Sequence, residues 1–147
     1  SPSNQWTNGN QAYVSDNSYA TSNDEGFEQS YKNFNFAVPS GAQIAGIEVK
    51  VEGKSSDSSG CSAFIKMWST SDNAHTSSKS AALVLSDATT TLGSSSDLWG
   101  ATWTAADFVN NDFHLDLSYN DASGSSCTGS ASIDQILVKV YWATPQI

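Results

Sequence analysis

Three stretches of the chain place apolar residues at every second position, and that period constrains the fold more than any other feature. Phe113, Leu115, Leu117 and Tyr119 interleave with His114, Asp116 and Ser118, and Ile47, Val49 and Val51 interleave with Glu48, Lys50 and Glu52. Between Ser132 and Trp142, Ile136, Val138, Val140 and Trp142 share one face, and Asp134 falls on it too. Successive strand side chains point to opposite faces, so segments like these bury one face and wet the other, as antiparallel sheets do.

The remaining segments extend that pattern. Gln11–Ser15, Tyr31–Val38, Cys61–Thr70, Ser80–Ser86 and Asp87–Leu92 read as further strands, separated by turns such as Pro39-Ser-Gly41 and by loops rich in Ser, Gly and Asp. Thr104 and Asp107 have the spacing of a helix cap, which predicts one helical turn over Ala105–Val109, ended by Asn110 and Asn111 in the left-handed conformation. About eight strands and one short helical turn predict an all-β fold, an antiparallel β-sandwich of jelly-roll type, in a single domain over residues 1–147.

Composition narrows the setting. The net charge is −9 with only six Lys and Arg residues, scattered singly, so no basic stripe is available for nucleic acid. The longest apolar runs are far shorter than the roughly 20 residues a membrane-spanning helix needs, so no membrane insertion is expected. Charged residues make up 14% of the chain, and Ser, Thr and Asn must supply most of the polar surface, as in secreted proteins. Cys61 and Cys127 each follow a Ser/Gly-rich loop and precede a strand-like run, so a disulfide between them is the economical reading. It would close a loop of about 65 residues, a stabilisation of about 4 kcal/mol, in an oxidising, extracellular compartment. Neither cysteine has a second ligand at zinc spacing.

Two groups of residues are candidate sites, each with a plainer reading beside it. Asp134, an acid on an otherwise apolar face, must be hydrogen-bonded or bound to a cation. It accepts backbone N–H groups from the Tyr13–Asn17 turn, or it holds calcium together with Asp16, loop carbonyls and Asp24 or Glu25. Trp68, Trp99, Trp103 and Tyr141 are either a platform for sugar rings or lids on the open ends of the sandwich. His75 and His114 have no serine or cysteine nucleophile at a recognisable elbow, and no stretch sets two acids across an aromatic cleft, so no enzyme is expected.

The order of Trp6, Tyr13, Ser15 and Asp16, then Phe34, Phe36, Pro39, Gly41, Ile44, Gly46, Ile47 and Val49, resembles the opening of a known module. Trp99, Gly100, Trp103, Thr104, Asp107 and Phe108, followed by Asp134, Val138, Val140 and Tyr141, resemble its close. That β-sandwich module occurs in giant surface proteins of candidate-phylum bacteria and in some phage structural proteins. The resemblance implies structural or adhesive duty at a cell or virion surface. The resulting expectation is an extracellular filament or surface-layer subunit, a homopolymer of copies of itself. Its segments 1–10 and 143–147 would add to a neighbour's sheet edge. The alternative is a carbohydrate-binding or adhesive module that recognises surface glycans, or a phage tail or decoration protein.

Overall fold

In a computed structural model, residues 3–23, 27–56, 61–70, 75–121 and 129–144 are described. Among them eight strands run in the order β1 (Ala20–Ser22), β2 (Glu28–Tyr31), β3 (Gln43–Ser55), β4 (Cys61–Ser69), β5 (Lys79–Ala82), β6 (Ala88–Gly93), β7 (Phe113–Asp121) and β8 (Ala131–Ala143). They form two four-stranded sheets, β1-β8-β3-β6 and β2-β7-β4-β5, with antiparallel pairing throughout. The architecture is a β-sandwich, as the alternating pattern predicts.

The facing surfaces follow from strand parity. Ile47, Val49 and Val51 of β3 lie opposite Val140, Val138 and Ile136 of β8. In the other sheet, Leu115 and Leu117 of β7 lie opposite Met67 and Ile65 of β4. Ile47, Val49, Ile65, Leu115, Leu117 and Ile133 are fully buried. Each such side chain contributes about 1.5–3 kcal/mol, whereas an exposed ion pair such as Lys66–Glu28 or Lys79–Asp97 adds about 0–1 kcal/mol. Apolar packing between the two inner faces therefore holds the sheets together.

Several expected elements take another form. Tyr31–Val38 is a strand only at its first residue, because β2 ends at Tyr31. Beyond it Asn33 and Asn35 adopt φ of 64° and 59°, left-handed values that break the extended path. Phe34, Phe36 and Val38 still pack against the core. Gln11–Ser15 is not a strand: a 3-10 turn occupies Gly9–Ala12, and only Tyr13 makes a bridge, to Gln135. The turn over Ala105–Phe108 is also 3-10, with the Asp107 carboxylate accepting the Thr104 N–H at 2.8 Å. Its exit is extended, at Val109, and neither Asn110 nor Asn111 is left-handed. Asn110 instead holds Asn35 by two side-chain hydrogen bonds, of 2.9 and 2.7 Å.

The N-terminal segment pairs within its own chain. Ser30 N–H donates to Ser3 O, Gln5 N–H donates to Glu28 O, and Thr7 bridges Thr21. The sheet edges at β2 and β1 are thus covered from one side by residues 3–7. Of the tail expected to join a neighbour, Ala143 ends β8, and residues 145–147 lie outside the described residues.

One end of the sandwich is closed by Trp99, whose left-handed backbone (φ 60°) is unusual for so large a residue. Its Nε1–H donates to Ile47 O at 2.9 Å, its N–H donates to Asp97 Oδ1 at 2.8 Å, and Lys79 Nζ lies 5.2 Å from its ring centre. Gly93 passes beside it with φ 75°, and a Cβ there would stand 2.2 Å from Ile47 O and 2.6 Å from the indole nitrogen. The hydrogen bond from Lys79, then the Trp99 N–H, hold the Asp97 carboxyl below its ordinary value. A depressed pKa stabilises the fold above the ordinary value of 3.8, and that gain is lost as pH falls through the folded value. Asp97→Asn should therefore lower the urea midpoint at pH 7, and the gap from wild type should close at more acid pH.

Candidate functional site

The outer face of the β2-β7-β4-β5 sheet carries the more chemically varied group. Cys61, Ala63, Ile65 and Met67 are buried on the inner side of β4, so parity sends Phe64, Lys66 and Trp68 outward. Register then sets Trp68 opposite His114 and Lys66 opposite Asp116. Cross-strand neighbours on one face are close enough to interact, and the Trp68 and His114 rings stack at 4.0 Å, 9° from parallel. His114 belongs to the outward face, as its position in the alternation predicts. It is nevertheless buried beneath the indole, with Nδ1 3.0 Å from Asp112 O.

Around this pair the strands place hydrogen-bonding groups of both kinds. Ser30 Oγ–H donates to Asp116 Oδ1 at 2.5 Å, and Lys66 Nζ lies 3.2 Å from Glu28 Oε2. The loop after β4 returns at His75, which bridges Trp68, and at Thr76, whose N–H donates to Met67 O. Together these residues bound a cleft of about 530 Å³, lined by Glu28, Lys66, Trp68, Thr70, His75, Thr76 and Asp116.

The other aromatic residues of the proposed platform lie elsewhere. Trp99 and Trp103 are buried, and Trp103 Nε1–H donates to Leu98 O. Both act as lids. Tyr141 is on the opposite sheet, on β8 beside Glu48 and Lys139. The four residues therefore do not form one surface. Trp6, Trp99 and Trp103 are each anchored by an indole hydrogen bond to a backbone carbonyl. Trp68 Nε1 is enclosed and has no acceptor among the described residues, a state that costs about 1–3 kcal/mol.

Asp134 stands at a second site. Glu52 pairs with Gln135 and Gly53 with Ile133, so a β-bulge leaves Asp134 without a partner on β3. Its carboxylate is fully buried and accepts the N–H groups of Asp16 and Asn17 at 3.1–3.2 Å. Asp16 therefore approaches through its backbone, while its own Oδ1 accepts the Ser18 N–H. Asp24 and Glu25 lie outside the described residues. Glu52 and Asp87 complete the group instead, with one oxygen from each of Glu52, Asp87 and Asp134 within 4.8 Å of the others. Tyr19 O–H donates to Asp87 Oδ2 at 3.0 Å, and Ser15 Oγ–H donates to Glu52 Oε1 at 2.6 Å. Asp87 Oδ1 is enclosed and has no donor among the described residues; an unpaired carboxylate oxygen costs upwards of about 1–3 kcal/mol. Burial raises the Tyr19 phenol's pKa, and the hydrogen bond to Asp87 and the three nearby carboxylates push it further.

Cys61 is disulfide-bonded, and Cys127 lies outside the described residues.

No protein-family model matches the chain, and no curated protein matches it. A solved structure titled "CBM4 structure and function" is similar, with a TM-score of 0.49 and 12% identity over 83% of this chain and 82% of that chain. A likeness of that size leaves function to be argued from the sites themselves.

Proposed function

We propose that this protein is a glycan-binding β-sandwich whose ligand lies on the outer face of the β2-β7-β4-β5 sheet, over Trp68. The observation that carries the reading is the contrast among the tryptophans. Trp6, Trp99 and Trp103 are buried and tied to backbone carbonyls, whereas Trp68 lines an open cleft and rests on His114 with no such tie among the described residues. A ring of this kind offers an apolar plate to the C–H face of a sugar, while the surrounding carboxylates, ammonium and hydroxyls suit its hydroxyl groups. The chain's net charge of −9 repels uronates and sulfated sugars, so the class favoured is a neutral oligosaccharide.

Of the two terminal segments expected to join a neighbour, the first pairs through residues 3–7 with strands of its own chain. An extracellular setting is supported by the disulfide at Cys61.

A panel of neutral oligosaccharides screened by calorimetry tests the proposal. Trp68→Ala should weaken binding at least tenfold, about 1.4 kcal/mol, with an unchanged far-UV spectrum, whereas Trp142→Ala should bind as wild type does. Binding that survives Trp68→Ala would overturn it, as would a panel with no ligand.

A further inference from the structure

We infer that the ligand is a linear chain of neutral sugars laid along β4, with Phe64 as a second plate beyond Trp68. The inference rests on the glycan reading and adds to it a residue and a ligand shape.

β4 sets the spacing. Phe64, Lys66 and Trp68 point outward, whereas Ile65 and Met67 are buried on the inner side. A strand rises about 3.3 Å per residue, so Phe64 stands about 13 Å from Trp68 on the same face. One sugar ring cannot touch both plates, and a ligand that does so is a chain of several rings.

Register decides what surrounds the second ring. Phe64 lies opposite Ser118 of β7 on one side and Ser80 of β5 on the other. Cross-strand neighbours are the side chains placed to cover a residue on a sheet face, and both of these are short hydroxyls. Phe34 and Phe36, also half-buried, pack onto the core and meet the Phe113 ring edge-on. Half-buried Phe64 makes neither kind of contact among the described residues. An apolar ring is thus left on a polar face with no apolar cover from its own chain.

The groups between the plates are polar and connect them. Lys66 sits between Phe64 and Trp68 on β4, opposite Asp116, and is ion-paired with Glu28. Glu28 lines the Trp68 cleft and also lies opposite Ser118, in the same cross-strand row as Phe64. The cleft therefore reaches the row of the second plate. Plates at the two ends suit the C–H faces of terminal rings, and the ion pair and carboxylate between them suit the hydroxyls of a middle ring.

The experiment is calorimetry of the whole chain with cello-, malto- and manno-oligosaccharide ladders, each from the monosaccharide upward. In the ladder that binds, affinity should rise with length until the chain spans both plates. Phe64→Leu, which keeps an apolar side chain but no plate, should weaken binding of the longest member by roughly threefold to tenfold, the size of a lost stacking contact. It should leave the shortest binding member unchanged, which a general loss of folding would not do. Phe64→Tyr should retain the gain with length, and Trp68→Ala should weaken long and short members alike. Affinity that does not rise with length would overturn the inference, as would Phe64→Leu binding the longest member as tightly as wild type. In both of those cases a loss on Trp68→Ala would leave the glycan reading standing. A protein that binds no ladder would overturn both.

Discussion

Asp134→Ala is expected to destabilise the protein by about 2–4 kcal/mol and to release the N-terminal segment. The carboxylate accepts the N–H groups of Asp16 and Asn17, both turned toward a fully buried group. Truncation leaves those two part-buried donors facing a methyl group, and an unpaired donor costs up to about 1–3 kcal/mol. Relief of repulsion from Glu52 and Asp87 offsets part of that. Domains of this size are stable by only about 5–15 kcal/mol, so the loss would be plain in a urea titration. Limited digestion with chymotrypsin separates local release from general weakening. Cleavage after Tyr13 or Tyr19 should outpace cleavage elsewhere in the variant. Asp134→Asn, which keeps an acceptor oxygen, should retain most of the protection.

Phe113→Ala should cost about 3–5 kcal/mol, the range for removing a buried aromatic ring. Phe113 is 1% exposed and meets Phe34, Phe36, Trp103 and Phe108 with ring centres 5.2–5.9 Å apart. These contacts hold the Lys32–Val38 segment, which has no strand pairing of its own, and the closing turn at Ala105–Phe108. The loss should therefore exceed that of Phe34→Ala, whose ring is only half-buried. Equilibrium denaturation of the two variants checks the order.

What could be read in the sequence was set by how local the cause was. The strands β3, β7 and β8 are long and keep period two, so their residues carried their own evidence. Lys32–Val38 shows the same alternation for another reason: left-handed Asn33 and Asn35 turn Phe34 and Phe36 the same way. Asn at alternate positions was the available signal, since Asn tolerates that conformation. β1, at three residues, is too short to show any period.

The sites divide in the same way. Asp134 stood out as an acid on an apolar face. Its companions did not, because Glu52 looks like any outward residue of β3 and Asp87 like a turn residue before a Thr-rich strand. Only the bulge and the pairing of β3 with both β6 and β8 bring them together. Trp68 was ambiguous because β4 has large residues on both faces, although the small and apolar series Cys61, Ala63, Ile65 and Met67 sets the parity. Its stacking on His114 depends on the β4–β7 register, which no local pattern encodes.

The most direct measurement of the glycan site is an NMR titration of the isotope-labelled chain with the tightest neutral oligosaccharide found. The account predicts that the Trp68 indole signal and the amides of Lys66–Ser69 and His114–Asp116 shift most, while those of Leu137–Tyr141 on the opposite sheet stay in place. Shifts centred on Leu137–Tyr141, with Trp68 unmoved, would contradict it.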